Sequence, residues 1–297
     1  MPACLIFNPT AKGDKARRFR SNLDQYAGGF TLKMTTAAGA ARRLAVEAVG
    51  EGFDCIIAAG GDGTVNETLN GIASTPGGLA QARFGVIPLG TVNVFARELS
   101  IPFELKAAWD VLHSGRVRTI DLPWVEHGPR EGGTRRYFAQ LAGAGLDARS
   151  IERVSWKLKK KVGPLAYVWA GLGALLAKQT LIEVVGRNQR EAGQLVLIGN
   201  GRLYGGDYRL FPAADLTDGL LDVLVFPKVN LGVLALCGPS LLLRGSLPAS
   251  AVRRFQAREF ELSSSGETPF EVDGEWGGKV PARFGLDPLA LRVMTPV

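Results

Sequence analysis

The fold is decided by one stretch, Phe53-Asp-Cys-Ile-Ile-Ala-Ala-Gly-Gly-Asp-Gly-Thr-Val-Asn-Glu67, in which an apolar run ends at a cluster of glycines. The run Phe53–Ala59 is typical of a buried strand, and Thr64–Ala73 has the spacing of a helix. Glycines between them permit positive φ and let backbone N–H groups approach a ligand closely. Because the positive end of a helix dipole follows, the turn Gly60–Gly63 is suited to bind phosphate at the edge of a parallel sheet.

The segment Gly60–Gly63 has two interpretations: it is either a tight turn without a ligand or a phosphate-binding loop. Asp62 and Thr64 favour the second, since a carboxylate and a hydroxyl in such a loop can contact magnesium and phosphate oxygens. The sequence contains no GxxxxGKS/T P-loop, no GxGxxG dinucleotide fingerprint and no GxSxG nucleophile elbow. The protein classes that carry those signatures are therefore excluded.

A second stretch, Val86-Ile-Pro-Leu-Gly-Thr-Val-Asn-Val-Phe-Ala-Arg97, repeats this plan. A short strand ends in Pro-Leu-Gly-Thr, and a helix begins. Asn93 by itself could simply cap that helix. Two such loops after two successive parallel strands would line the same edge of the sheet, which favours a nucleotide cleft there.

Strand-like and helix-like segments alternate over the first part of the chain. The predicted strands are Ala3–Asn8, Phe30–Thr35, Phe53–Ala59 and Phe84–Pro88, and the predicted helices include Ala38–Gly50 and Thr64–Ala73. This alternation predicts an α/β domain built on a doubly wound, mostly parallel sheet with helices on both faces.

In the second part of the chain the pattern changes to strands joined by short turns. The predicted strands are Arg135–Leu141, Thr180–Gly186, Gln194–Gly199, Leu220–Phe226, Arg258–Leu262, Phe270–Val272 and Leu289–Met294. Few helical segments separate them, which predicts a C-terminal domain that is β-rich and largely antiparallel. We expect the boundary near Asp121–Gly133, where regular elements should be interrupted by Pro123, Gly128, Pro129, Gly132 and Gly133. The predicted domains are residues 1–122 and 123–288, with residues 289–297 returning to the first.

Composition and charge exclude several classes of protein. The three cysteines lie far apart without a CxxC pair, and the two histidines cannot build a histidine metal site, which favours a cytoplasmic protein with reduced cysteines. We expect no secretory signal at the N-terminus. The net charge of +7 favours an anionic partner, such as a lipid surface or a nucleotide. Nucleic acid is a poor fit, because the basic residues are dispersed and no recognition module is present.

Two apolar stretches raise the question of a membrane. Pro164–Ala177 and Val229–Leu243 are shorter than the ~20 residues that span a bilayer, and Gly238 and Pro239 interrupt the second. The first follows the basic, aromatic segment Trp156–Lys161, which suits an anionic membrane surface or, equally, a core helix with a charged entrance. A core helix is the preferred interpretation of the second. We expect a protein that binds a membrane peripherally and does not span it.

The two glycine-rich loops belong to a longer series of motifs. The others are Asn8-Pro9, Gly143-Ala-Gly-Leu-Asp147-Ala148, Asn200-Gly201, Gly205-Gly206, Pro212-Ala213, Asp218-Gly-Leu-Leu-Asp222-Val223 and Val272-Asp-Gly-Glu275. In this order, and over nearly the whole chain, the motifs resemble the catalytic domain shared by diacylglycerol kinases, sphingosine and ceramide kinases, and bacterial soluble lipid kinases. The resemblance implies a nucleotide-binding α/β domain, a β-rich lipid-binding domain and a catalytic cleft between them. The chain departs from the bacterial pattern at Val94, where many members have Asp, and at Asp207, where many have Gly.

The resemblance also implies an enzyme that uses ATP and Mg²⁺ to phosphorylate a lipid hydroxyl. The implied nucleotide contacts are Thr35, Gly60, Gly61, Asp62, Gly63, Thr64, Val65, Asn66 and Thr91. The implied ligands of a structural magnesium ion are Asp215, Asp218 and the backbone of Leu220. The acid that ends the last motif, Glu275, matches the proton acceptor of the family, with Asp273 beside it.

Three carboxylates are candidates for the catalytic base that takes the proton of the lipid hydroxyl. Glu275 is the first choice, Asp273 the second and Asp62 the third. Asp62 could instead orient magnesium or the hydroxyl. Asp273-Gly274 is also a strong pair for a hairpin turn, so a purely structural role for Asp273 stays open.

Other functions stay open beside the lipid kinase. The GGDGT loop also occurs in NAD kinases and phosphofructokinases, so a kinase of a soluble substrate such as NAD is one alternative. A lipid- or nucleotide-binding regulator without catalysis is another, although every acid that the mechanism needs is present. The sequence predicts neither the particular lipid nor the oligomeric state. A homodimer through a sheet edge stays open, although the sequence carries no signal for it.

Overall fold

The computed structural model describes residues 2–11, 14–22, 29–128, 134–145, 180–244 and 246–297. The segment 156–161 and the apolar stretch 164–177, considered above for a membrane role, lie outside the described residues. Asp147 of the motif series lies outside them as well.

The described part of the chain contains seven helices and eighteen strands. The helices are α1 (Asp14–Ser21), α2 (Ala40–Gly50), α3 (Asp62–Ser74), α4 (Gly78–Gln81), α5 (Val94–Glu98), α6 (Leu105–Ser114) and α7 (Leu231–Arg244). The strands are β1 (Ala3–Phe7), β2 (Thr31–Met34), β3 (Cys55–Gly60), β4 (Arg83–Pro88), β5 (Arg116–His127), β6 (Thr134–Tyr137), β7 (Leu141–Gly145), β8 (Ile182–Gly186), β9 (Arg190–Gly193), β10 (Leu195–Gly199), β11 (Leu203–Tyr204), β12 (Tyr208–Arg209), β13 (Leu221–Phe226), β14 (Arg253–Ala257), β15 (Glu259–Ser264), β16 (Pro269–Val272), β17 (Glu275–Lys279) and β18 (Ala282–Thr295).

The N-terminal part of the chain forms a parallel sheet with helices packed on it. Its strands lie in the order β2-β1-β3-β4, and all neighbouring pairs are parallel. Every residue of β3 is buried, as expected for a central parallel strand. Helices α2 and α3 contribute buried apolar residues such as Leu44 and Leu69 to the same core. The predicted α/β architecture is confirmed.

The C-terminal part forms an antiparallel β-sandwich. One sheet has the strand order β14-β13-β10-β7-β16-β17, with antiparallel pairs throughout. It packs on the extension of the first sheet that contains β18, β15 and β8. The ring of Phe284 in β18 lies 5.6 Å, centroid to centroid, from the ring of Phe270 in β16, and both side chains are fully buried. The predicted β-rich, antiparallel domain is therefore confirmed.

Two long strands, β5 and β18, run through both parts of the molecule. They pair in antiparallel fashion over most of their lengths, with a register shift between Asp287 and Leu291, and β18 also pairs with β4 in parallel. The prediction that Pro123 interrupts regular structure is wrong, because Pro123 lies inside β5. A proline removes one backbone donor but keeps its carbonyl, which here accepts a hydrogen bond from Phe138 N at 3.0 Å.

The carboxylate of Asp121 holds three segments together where β18 shifts its register. Asp121 is 1% exposed, its Oδ1 accepts a hydrogen bond from Leu289 N, and its Oδ2 accepts one from Gly219 N, both at 2.7 Å. Leu289 and Gly219 have positive φ angles of 47° and 75°, and this conformation is costly for a leucine. Asp121 therefore attaches two features to β5, the bend of β18 and the turn before β13.

Replacing Asp121 with alanine should lower the free energy of unfolding by about 1–3 kcal/mol, because two partly buried N–H groups would lose their acceptor. Urea unfolding followed by circular dichroism measures this difference. The matched control is Asp110→Ala, which removes an exposed ion pair with Lys106 and should change the free energy of unfolding by no more than about 0.5 kcal/mol. Equal stability of Asp121→Ala and the wild type would contradict the role given to this carboxylate.

Candidate active site

The two glycine-rich loops lie directly against each other at the carboxyl ends of β3 and β4. The carbonyl oxygen of Gly60 accepts hydrogen bonds from the N–H groups of Leu89 and Gly90 at 2.9 and 3.2 Å. A Cβ atom at Gly90 would stand 2.6 Å from the Cα of Gly61, closer than non-bonded carbon atoms approach. Glycine at position 90 is therefore what allows the two loops to touch, at the common edge that the sequence predicts.

Asp62 joins the two loops through its carboxylate. It is the first residue of α3, and its Oδ1 and Oδ2 accept hydrogen bonds from the N–H groups of Val94 and Asn93 at 2.8 and 2.9 Å. These N–H groups lie at the start of α5, so Asp62 caps a helix that belongs to the other loop. Burial, and then the negative charge of Asp273, raise the pKa of Asp62, while the backbone donors act in the opposite direction.

Asn93 closes the second loop and does not cap α5 with its own side chain. Its φ is 53°, its Nδ2 donates to Gly90 O at 2.7 Å, and its Oδ1 accepts from Gly90 N at 3.0 Å. The alternative in which Asn93 simply caps the helix is therefore wrong, because Asp62 supplies the cap. Thr91, the implied nucleotide contact in this loop, is exposed.

A cavity of about 250 Å³ lies beside the first loop. Its lining is mostly polar or small and consists of Asn8, Thr10, Thr35, Thr36, Ala37, Ala38, Ala41, Gly63, Thr64 and Glu67. The structure thus brings Thr35, Gly63 and Thr64, three of the implied nucleotide contacts, to one cavity.

Asn8 and Glu67 shape this cavity, although both were only motif positions without a predicted role. The Nδ2 of Asn8 donates to Thr64 Oγ1 at 3.1 Å. The two carboxylate oxygens of Glu67 accept hydrogen bonds from Gly39 N at 2.8 Å and Ala41 N at 3.0 Å. Glu67 therefore holds the start of α2 at the cavity wall.

The side chains of Val65 and Asn66 lie away from this cavity. Val65 is buried in the core of the α/β part. Asn66 is also buried, its Nδ2 donates to Asp273 Oδ2 at 2.7 Å, and its Oδ1 accepts from Arg136 Nη2 at 3.3 Å. The side chain of Asn66 thus connects α3 to the β-rich domain.

Asp273 is the centre of a hydrogen-bond network at the turn between β16 and β17. Asp273 and Gly274 have φ angles of 48° and 80°, the left-handed pair that a tight hairpin turn requires. The carboxylate accepts hydrogen bonds from the backbone N–H groups of residues 139, 140 and 141 at 2.7, 2.9 and 3.2 Å, and from Asn66 Nδ2. The predicted turn is therefore observed, and the same residue ties the turn to α3.

The carboxylate of Glu275 lies at the first glycine-rich loop. A Cβ atom at Gly63 would stand 2.9 Å from Glu275 Oε1, and Glu275 Oε2 accepts a hydrogen bond from Arg136 Nη2 at 2.7 Å. The side chain is 42% exposed and can be reached from solvent. Partial burial is the largest cause that raises the pKa of Glu275; Arg136 lowers this pKa, and Glu67 and Asp273 raise it further.

Arg136 positions Glu275, and the sequence did not predict it as a site residue. Besides Glu275 it donates to Trp276 O at 2.8 Å and to Asn66 Oδ1. These partners lie on β17 and α3, far from β6 in sequence, so the contact depends on the tertiary fold. No local signal distinguishes Arg136 from its neighbour Arg135, which pairs elsewhere.

The implied magnesium ligands lie in the turn before β13. Asp215 Oδ1 accepts hydrogen bonds from the N–H and the hydroxyl of Thr217 at 3.0 and 2.8 Å, and Asp218 Oδ1 accepts one from Leu220 N at 2.9 Å. The hydroxyl of Thr217 lowers the pKa of Asp215, whereas burial raises the pKa of Asp218. Two carboxylates in one turn are hard oxygen ligands of the kind that fits Mg²⁺.

Within the described ranges, no group of three or more His, Cys, Asp and Glu side chains is placed to share a metal ion. A cation at the Asp215–Leu220 turn would therefore need backbone oxygen and water beside its two carboxylates. Gly219 N donates to Asp121, so this turn is attached to β5.

The two departures from the bacterial pattern have different effects. Val94 contributes its backbone N–H to Asp62, which any residue except proline could do. Asp207, between β11 and β12, accepts two hydrogen bonds from Arg97 Nη1 at 2.6 and 2.7 Å. Because Arg97 lies on α5, Asp207 adds an ion pair between this hairpin and the second glycine-rich loop.

Comparison with known proteins identifies the family. Residues 2–125 match the model of the diacylglycerol kinase catalytic domain, and residues 140–295 match the model of the YegS C-terminal NAD kinase beta sandwich-like domain. A protein named diacylglycerol kinase from Staphylococcus aureus (strain bovine RF122 / ET3-1) is 33% identical over 290 residues, which are 95% of this chain and 88% of that protein.

Two solved structures from Bacillus anthracis str. Sterne share the fold. The first has a TM-score of 0.80 and 23% sequence identity, and the match covers 99% of this chain and 96% of the other. The second, the crystal structure of a diacylglycerol kinase, has a TM-score of 0.72 and 20% identity over 99% of this chain and 96% of its own. At these identities the structures establish the fold alone. The two family models and the staphylococcal relative show that the chain belongs to the diacylglycerol kinase catalytic domain family and carries a YegS-type C-terminal domain.

Proposed function

We propose that the protein is an ATP-dependent lipid kinase that transfers the γ-phosphate of ATP to a hydroxyl of a diacylglycerol-, sphingoid- or related membrane lipid. The observation that carries the proposal is the position of the Glu275 carboxylate, which lies beside Gly63. Gly63 belongs to the first glycine-rich loop, which is suited to bind phosphate. Phosphoryl transfer to an alcohol requires a positioned phosphate and a group that takes the proton. Membership of the diacylglycerol kinase family supports a lipid as the acceptor.

The first glycine-rich loop would hold the phosphates of ATP. It opens α3, and the N–H groups in the first turn of a helix have no acceptor within the helix. The positive end of the helix dipole adds to the attraction for phosphate. The cavity beside the loop offers Thr35 and Thr64 to the rest of the nucleotide. Thr91 on the second loop is exposed and lies outside the cavity lining.

In the proposed reaction the oxygen of the lipid hydroxyl forms a bond to the γ-phosphorus. The bond from that phosphorus to the β,γ-bridging oxygen breaks, ADP leaves, and the hydroxyl proton moves to Glu275. Arg136 holds the accepting carboxylate in place. Asp62 and Asp273 act by fixing the loops, because backbone N–H groups already occupy their oxygens. Glu275 is therefore the first candidate for the base.

Mg²⁺ would have two places in this scheme. When bound with ATP it supplies positive charge that offsets the charge of the phosphates. A structural magnesium ion would be held by Asp215, Asp218 and the backbone of Leu220. Because Asp121 ties this turn to β5 and to the bend of β18, this second ion would stabilise the junction between the domains.

The proposed substrate requires access to a membrane surface. Among the described residues, no helix is both long and apolar enough to cross a bilayer. We propose a cytoplasmic protein that binds the membrane peripherally, which agrees with its net charge of +7.

The proposal is tested by ATP turnover against a panel of lipids. Labelled ATP, Mg²⁺ and vesicles that contain diacylglycerol, monoacylglycerol, sphingosine, ceramide or phosphatidylglycerol are incubated with the wild type and with Glu275→Gln. We expect one labelled lipid class, and a decrease in kcat of about 10²–10⁴-fold in the variant, because the amide cannot accept the proton. The control is Glu267→Gln, which changes an exposed acid paired with Lys279 and should leave kcat unchanged.

Three other outcomes would contradict parts of this scheme. Labelled NAD in a parallel reaction, with no labelled lipid, would replace the lipid by a soluble acceptor. Full activity of Glu275→Gln would exclude this residue as the base. ATP binding without transfer to any acceptor would favour a regulator.

The positioning role of Arg136 predicts a pH effect. A base acts when ionised, so the rate should fall as the pH falls through the raised pKa of Glu275. Arg136→Met removes the cation that lowers this pKa, so the acidic limb of the kcat–pH profile should move to higher pH. Arg136→Lys keeps the charge and should leave the limb near its wild-type position. An equal loss of kcat at every pH in Arg136→Met would show a merely structural role.

A further inference from the structure

Helix α7 presents an apolar surface to solvent. Its inner side, which includes the buried Cys237, packs on apolar residues of β10 and β13. On its outer side Leu231, Leu234 and Leu236 are 63%, 39% and 49% exposed. The sequence contains no polar residue between Leu231 and Pro239, so the exposed side is apolar over more than two turns.

An apolar outer side is unusual for a surface helix. Helices that lie on a globular protein normally carry charged or polar residues towards water. Contiguous exposed apolar surface indicates a partner. The helix has 14 residues, a length of about 21 Å, which is shorter than the roughly 30 Å core of a bilayer. It can therefore lie in a membrane interface but cannot cross the membrane.

The charge of the surrounding segment indicates which partner fits. Residues 223–258 contain no Asp or Glu, and their five basic residues are Lys228, Arg244, Arg253, Arg254 and Arg258, of which Arg253 pairs with Glu191 on β9. Arg254 lies near α7, because it donates a hydrogen bond to Leu247 O at 2.9 Å and Leu247 belongs to the same buried cluster as Cys237. Exposed leucines within a basic segment suit an anionic lipid surface. A second copy of the chain suits it poorly, because face-to-face pairing would bring the same positive segments together.

The apolar helix is connected in space to the candidate active site. Helix α7 contacts β12, where Tyr208 is 45% exposed. The turn before β12 reaches the second glycine-rich loop through the pair Asp207–Arg97, and a Cβ atom at Gly206 would stand 3.9 Å from Val92 Cγ1. A bilayer against α7 would therefore lie on a surface that continues through the β11–β12 hairpin to the site.

We propose that the outer side of α7 is the surface that docks on a lipid bilayer. Leu231, Leu234 and Leu236 enter the boundary between headgroups and acyl chains, and the basic segment lies over anionic headgroups. This inference rests on the proposed function, since a lipid substrate is what requires the enzyme to dock.

The first test measures binding to vesicles of equal parts phosphatidylglycerol and phosphatidylcholine, without ATP. Leu234→Glu and Leu236→Glu should each lower the partition coefficient about tenfold or more, because a charge replaces a leucine that inserts. The matched control is Val46→Glu on α2, which also changes an exposed apolar residue, 39% exposed, and should leave partition unchanged. Because the leucines are exposed, the urea midpoints of the variants should equal that of the wild type.

The second test reports the surroundings of the helix directly. The native cysteines Cys4, Cys55 and Cys237 are buried, so a single introduced cysteine can be labelled selectively. A polarity-sensitive fluorophore on Leu236→Cys should shift to shorter wavelength with these vesicles and be quenched by lipids brominated on their acyl chains. The same fluorophore on Val46→Cys should do neither.

Two results would overturn the docking surface. The first is equal partition of the wild type and both leucine variants. The second is a dimer that Leu236→Glu dissociates without any change in vesicle binding, since the surface would then be an interface between copies. Failure of the kinase proposal gives a different result. Vesicle binding would still depend on α7, but no lipid would be labelled in the reaction with labelled ATP. Labelled lipid together with α7-independent binding would overturn the docking surface alone.

Discussion

The carboxylate of Asp62 makes the interaction on which the rest of the site depends. It lies at the start of α3 and accepts hydrogen bonds from the N–H groups of Asn93 and Val94 at the start of α5. One side chain from the first loop therefore fixes the second loop. The loops can come this close because Gly90 has no Cβ atom, which would stand 2.6 Å from the Cα of Gly61. The two loops thereby form one edge of the sheet at which backbone donors converge, an arrangement that is suited to anions without a lysine-bearing P-loop.

The β-rich domain is attached to this edge by a second carboxylate. Asp273 gathers three backbone N–H groups and the side chain of Asn66, so the turn that follows β16 is held against α3. Glu275, two residues later, is thereby placed at Gly63. Asp62 and Asp273 thus fix the geometry of the candidate site, whereas Glu275 stays reachable from solvent and is the acid that we propose as the proton acceptor. Arg136 and the neighbouring acids act on its pKa in opposite directions.

Much of the fold could be predicted, because hydrophobic periodicity and the glycines that end strands and helices are local properties of the sequence. The strands β1, β3 and β4 and the helices α2 and α3 follow this rule, as does the turn at Asp273-Gly274. The site could be predicted only as a set of motifs, because its contacts join residues far apart in sequence. Arg136 shows the limit, since its partner Glu275 lies on another strand. The exposed side of α7 could not be predicted either. Composition indicates an apolar segment, but the packing of the whole domain decides which of its residues stay exposed.

The most direct measurement is a crystal structure of the protein with a non-hydrolysable ATP analogue and Mg²⁺. We expect phosphates on the N–H groups at the start of α3, the remainder of the nucleotide in the cavity lined by Thr35 and Glu67, and the terminal phosphate facing the carboxylate of Glu275. Phosphates bound at another part of the chain, or a terminal phosphate turned away from Glu275, would contradict this expectation.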